Sequence, residues 1–170
     1  MAFNTEIITS VEVRDLSIDD IDFDTAYFDN YILTSQRKYL KDILGKDFYN
    51  EILDQVENAT LTSDNETLLD SFIKPMLAHY IVYEVYPKIH TKLSNQGIMM
   101  NDTEFSDQAK SFDYSQSRDF YINKASFWAK DMIVFIKESK EDDGTKYPLF
   151  DDCDSNDGKG LNKRGIVFYK

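Results

Sequence analysis

The run NETLLDSFIKPMLAHYIVYEVYPKIHTKLSNQG, residues 65–97, decides the fold. Leu69, Phe72, Ile73, Met76, Tyr80, Tyr83 and Pro87 recur at steps of three and four, the spacing of one helix face. Leu77, Ile81, Val82 and Val85 fill the other faces. A helix that is apolar nearly all round belongs in the centre of a bundle. Asp64 is placed to cap its start, and the stretch Lys92 to Gly97 to end it. Pro75 brings no backbone N–H, which predicts a kink or a break at that point. No group in the run is arranged to do chemistry.

Working outward, the spacing predicts a first helix from about Thr25 to Leu44, with Asp24 as its N-cap and Gly45 as its stop. A second helix over Lys46–Glu57 follows so closely that the two must form a tight corner. Ile7, Ile8, Val11 and Val13 predict a short extended segment, and Asp15–Ile21 a turn of helix or a loop. After the central helix, residues 98–113 read as a connection that opens on an extended apolar piece. A fourth helix is expected from about Tyr114 to Ser139, with Tyr121, Ala125, Trp128, Met132, Phe135 and Ile136 as its inner face. From Lys140 the chain turns polar and Gly-rich, and closes on Gly165-Ile-Val-Phe-Tyr-Lys170. The expectation is an all-α fold: an antiparallel bundle of about four helices, a central Pro-bent helix and an extended C-terminal arm. Residues 1–22 are read as an N-terminal segment, 23–140 as the bundle and 141–170 as the arm.

The chain has 170 residues, enough for one core, with 42% hydrophobic and 14% aromatic side chains. Phe (12) and Tyr (11) dominate the aromatics. Tyrosines suit packed surfaces that keep a wet edge, such as subunit contacts, although an AT-rich coding sequence gives the same bias. With 31 acidic against 19 basic residues the net charge is −12. Such a surface repels phosphate backbones, so it would line a path for nucleic acid rather than grip it. Cys153 has no second cysteine to pair with, no apolar run approaches the length of a membrane span, and the first residues lack the pattern of a secretion signal.

No catalytic or metal-binding pattern in the chain is complete. Asp151, Asp152, Asp154, Asn156 and Asp157 resemble a calcium loop. The EF-hand, however, needs Gly at the sixth position and Glu at the twelfth, where a count from Asp152 finds Asp157 and Lys163. A solvated acidic tether is the plainer reading. His79 and His90 are about three helical turns apart, too far to share a metal. There is no nucleophile elbow and no phosphate-binding Gly motif. No catalytic residue, cofactor site or metal site is therefore assigned. The rival to a structural role is a small metal-binding or hydrolytic enzyme using the Asp-rich C-terminal segment.

Three pieces in order carry a family resemblance. They are Arg37–Tyr49 across the Leu-Gly corner, Ile73–Tyr80 with Tyr83–Pro87 and Lys92–Gly97, and the polar tail holding Tyr147-Pro148-Leu149-Phe150 and Gly165–Phe168. This pattern resembles the head–tail connector (adaptor, or ring) proteins of tailed bacteriophages, of the type found in crAss-like phages. The resemblance spans about residues 20–170; residues 1–20 and Asp151–Asp157 have no counterpart in it. It implies a homo-oligomeric ring of twelve copies beneath a portal protein, joined to tail or further connector proteins. DNA would pass through the channel without specific binding, and the protein's place would be the virion. The residues expected to touch the portal or a neighbouring subunit are Tyr147, Pro148, Leu149, Phe150, Ile166, Val167, Phe168 and Tyr169. An apolar run at the end of a polar tether needs an edge or groove on which to dock.

Overall fold

The computed structural model describes residues 4–18, 22–94, 97–100 and 111–150, with side chains over 4–18, 22–89 and 115–150. The fold is all-α. Its helices are α1 (Ser10–Ser17), α2 (29–44), α3 (Lys46–Glu57), α4 (63–90) and α5 (Ser111–Asp142). Strands β1 (Thr91–Ser94) and β2 (Gly97–Met100) form an antiparallel hairpin with Thr91 opposite Met100 and Ser94 opposite Gly97. The expected extended apolar piece after the central helix is the second strand of this hairpin.

Helix α1 stands where an extended segment was expected. The β-branched run Ile7–Val13 suggested a strand, but Thr9 and Glu12 form a capping box. The Glu12 N–H donates to Thr9 Oγ1 (3.2 Å) and the Thr9 N–H donates to Glu12 Oε2 (2.8 Å). Ile7, Ile8 and Val13 are buried in the common core. Gln36 in α2 ties this segment down: its Oε1 accepts from the Ile7 N–H (2.9 Å) and its Nε2 donates to the Thr5 carbonyl (3.1 Å). Residues 4–17 thus pack as part of the bundle.

Asp24 caps as expected, accepting from the Ala26 N–H (3.0 Å) at a 3-10 turn over Thr25–Tyr27 that leads into α2. Gly45 then makes the corner with φ 79° and ψ 165°, a region open essentially to glycine alone. Helix α3 begins and ends where the sequence places it, and buries Phe48, Tyr49, Ile52 and Leu53.

Helix α4 is capped by Thr62, not by Asp64: the Asn65 N–H donates to Thr62 Oγ1 (3.2 Å). Pro75 does not split the helix. The irregularity lies one turn earlier, as a π-helical turn over Leu69–Ile73. There the Lys74 N–H reaches back five residues to the Leu69 carbonyl. A wider turn just before the proline lets the helix run on past a residue that cannot donate. Met76, Leu77, Ala78, Tyr80, Ile81 and Val85 are all fully buried, the all-round burial that the pattern predicted.

Helices α1 and α5 lie on opposite faces of α4. Lys74 bonds to Glu12 of α1 (2.9 Å), while Tyr83 stacks under the Arg118 guanidinium of α5 (4.1 Å to the ring centre). Nine residues separate Lys74 from Tyr83, about two and a half turns, which puts them on opposite sides. Helix α5 runs antiparallel to α4, because Phe72 stacks on Phe135 (4.7 Å) whereas Tyr86 meets Tyr121 (5.9 Å). Helix α2 covers a third side, where Tyr39 stacks on Tyr80 with ring centres 3.8 Å apart.

Candidate functional surfaces

The arm does not begin where its composition changes. Helix α5 runs on to Asp142, and residues 143–150 fold back as a compact hook. Asp143 Oδ1 accepts from the Thr145 N–H (3.0 Å) and hydroxyl (2.7 Å), closing the first turn. The Phe150 N–H donates to the Tyr147 carbonyl (3.0 Å), closing the second. Tyr147 sits at φ 46°, a left-handed conformation that costs a non-glycine residue on the order of 1 kcal/mol or more. Packing holds it there. Its ring lies against Phe48 and Phe135, and its hydroxyl donates to the Asp64 carbonyl (3.0 Å). Burial, with Asp64 nearby, pushes its hydroxyl up to about 12. Phe150 meets the edge of Phe48, and Lys140 donates to the Phe150 carbonyl (2.9 Å).

This divides the four expected contact residues at 147–150. Tyr147 and Phe150 are buried against their own chain, because two aromatics three residues apart on a turn can both reach the α3–α5 groove. They are anchors of the hook rather than free contacts. Pro148 and Leu149 are exposed, Leu149 to 46%. The hook borders a cleft of about 210 Å³ between Phe48, Glu51, Asp64 and Tyr147. Ile166, Val167, Phe168 and Tyr169 lie outside the described residues, as do Cys153 and the acidic segment 151–157.

A second surface went unread in the sequence. On α5, Phe120, Phe127 and Val134 are exposed to 52%, 57% and 49%. They are spaced by sevens, so they form one stripe about 21 Å long on a helix about 48 Å long. The stripe points away from α4, which packs against the Ala125–Ala129–Met132–Ile136 face. Lys124 lies over the Phe120 ring (5.7 Å) and Trp128 meets Phe127 edge-on (5.5 Å). The seven-residue interval was visible, but an aromatic on a helix reads as core unless the opposite face is already known to be filled.

Two further polar clusters are bonded within the fold. Lys38 Nζ meets Glu84 Oε1 at 2.5 Å, and the Tyr39 hydroxyl donates to the same oxygen. Burial alone would raise the Glu84 carboxyl, but the bonds from Lys38 and Tyr39 and the charges of Lys38 and Arg118 hold it below its usual range. Burial and the Glu84 carboxylate push the Tyr39 hydroxyl far up. His79 donates from Nδ1 to the Pro75 carbonyl (2.7 Å), four residues back beside the π turn. Burial, helped by Lys124, lowers its pKa despite that bond, so the ring is neutral. The His90 side chain lies outside the described residues. Among the described residues no three His, Cys, Asp or Glu side chains come together to hold a metal ion. No helix among them is long and apolar enough to cross a membrane.

The comparisons with known proteins give one result that bears on kinship. No curated protein and no solved structure matches the chain. A family model matches residues 40–160, from the end of α2 through the hook, and the chain therefore belongs to that family, a family of unknown function (DUF6712).

Proposed function

We propose that this chain is a structural assembly protein, a head–tail connector that forms a ring with copies of itself beneath a portal protein. The observation that carries the reading is the stripe Phe120–Phe127–Val134. A chain with a net charge of −12 has little reason to leave two phenylalanines and a valine in a row in water. On a long helix such a row suits burial against another subunit. The sequence resemblance to phage connectors supports the same reading and supplies the portal, the further connector or tail proteins and the DNA path. A ring of acidic subunits would give passing DNA a channel that repels its phosphates. Pro148 and Leu149 at the root of the arm, and Ile166–Tyr169 at its end, are the contacts proposed for the portal or a neighbouring copy. The reading assigns no catalytic residue and no cofactor.

Electron microscopy and sedimentation of the purified chain, alone and mixed with its portal, test this. Closed rings, or capture of the chain by the portal, are expected. A chain that stays a monomer at high concentration and ignores the portal would refute the proposal.

A further inference from the structure

Charge along the chain is segregated. Residues 159–170 hold Lys159, Lys163, Arg164 and Lys170 and no acid. Four of the 19 basic and none of the 31 acidic residues lie there, which leaves 15 against 31, a net of −16, on the rest. The same twelve residues end in the apolar run Ile166–Tyr169. A cationic, apolar segment on a strongly anionic chain has its natural complement on that chain itself.

The outer face of α5 supplies it. Around Val134, the exposed acids Asp131, Glu138, Glu141 and Asp142 lie on the stripe side of the helix. Phe120 and Phe127 are flanked by Lys124, Lys130 and Asp131, and Lys130 and Lys137 also lie within a turn of Val134. Four acids against two lysines leave the Val134 end of the stripe net acidic as well as apolar, and it is the end nearer the hook. Phe150 is held beside Lys140 by the 2.9 Å bond to its carbonyl, so the remaining chain starts about one and a half turns from Val134. Thirteen residues from Phe150 to Lys163 can span up to about 45 Å, more than enough to round a helix about 10–12 Å across.

From these observations we infer that the chain's own segment 159–170 seats on the outer face of α5 in the unassembled protomer. It runs antiparallel to the helix. Lys163 and Arg164 meet Glu138 and Glu141, and Ile166–Tyr169 cover Val134 and Phe127. The dimensions agree. Four extended residues cover about 10 Å, and seven helical residues from Phe127 to Val134 rise about 10 Å. The short tether favours the segment's own subunit over another copy, because it sets an effective concentration near the millimolar range. The inference rests on the reading of the stripe as an assembly face and adds what covers it before assembly. Displacement of the segment by a second copy then frees the arm at the moment the ring contact forms.

The test is a cross-link in the full-length chain. In a Cys153→Ser background, Asp131→Cys with Val167→Cys should close a disulfide within one chain under mild oxidation. Asp54→Cys, at an exposed position of α3, with Val167→Cys is the control for random collision. Expected are a fast-migrating monomer band for the first pair, little for the second, and loss of the difference at about 1 M salt, where screening acts within roughly 3 Å. Removing residues 159–170 should also leave Trp128, the only tryptophan, more open to acrylamide quenching. Equal cross-linking of both pairs, or of neither, would overturn the inference. So would cross-links formed only between copies, which would place the segment on a neighbour. Each of these results can occur whether or not the chain forms rings, so this inference and the proposed function fail separately.

Discussion

Replacing Phe127 by Asp separates assembly from folding. Phe127 is 57% exposed, and a phenylalanine presents on the order of 200 Å². About 110 Å² is thus left uncovered by the helices, worth at most ~3 kcal/mol at about 25 cal/mol per Å² when a second copy takes the place of segment 159–170 there. That is up to about a hundredfold in the association constant per contact, before the added cost of burying a carboxylate. The fold should hardly notice, because substitutions at exposed positions usually stay within about 0.5 kcal/mol. Sedimentation velocity across a concentration series reads the first effect, and thermal unfolding followed by circular dichroism reads the second. The expected result is a chain that melts as the wild type does but stays monomeric at concentrations where the wild type assembles. Unchanged assembly would refute the role of the stripe. A melting point lowered by many degrees would show that Phe127 supports its own subunit instead.

Gly45→Ala should cost about 1–3 kcal/mol in chemical denaturation: the added Cβ meets nothing within 4 Å, so the loss comes from the backbone angle alone. Phe150→Ala should cost about 3–5 kcal/mol if the hook unfolds as part of the core, and limited proteolysis should then cut at 143–150 before the helices. Stability should fall on acidification below about pH 6.5. His79 has a lowered pKa in the folded chain, so the unfolded chain binds the proton first, and the loss accrues from the ordinary value near 6.5 down to the folded value. Denaturation midpoints of wild type and His79→Gln between pH 7 and 5 check this, since the variant should lack that part of the slope.

Legibility in the sequence followed how local each signal was. Helix α3 was readable to the residue because Gly45 fixes one end and the apolar spacing fixes the rest. The burial of α4 was readable because its apolar residues fill every face. Helix α1 was misread because β-branched residues outweighed Thr9 and Glu12, two polar side chains whose caps decide the matter. The hook was hidden by composition: Asp, Gly, Thr and Lys surround Tyr147 and Phe150, and only the groove beside Phe48 explains why those two rings turn inward. The stripe on α5 needed the packing of α4 to be known first. Of the arm, Pro148 and Leu149 are open to contact, and Ile166–Tyr169 lie beyond the residues described.

The π turn over Leu69–Ile73 also has the character of a phase shifter. It places one residue more in a turn than an α-helix would, so the helix before it is rotated by about 100° relative to a regular continuation. Leu68 and Asn65 are aimed at the core only with that offset, and Asn65 bonds from Nδ2 to Gln55 of α3 at 2.8 Å. Loss of a single residue from this stretch would restore ordinary α hydrogen bonding and leave every residue after Pro75 in place. It would also swing the first turns of α4 by a quarter of a circle, away from α3 and from the Asp64 carbonyl that holds the hook.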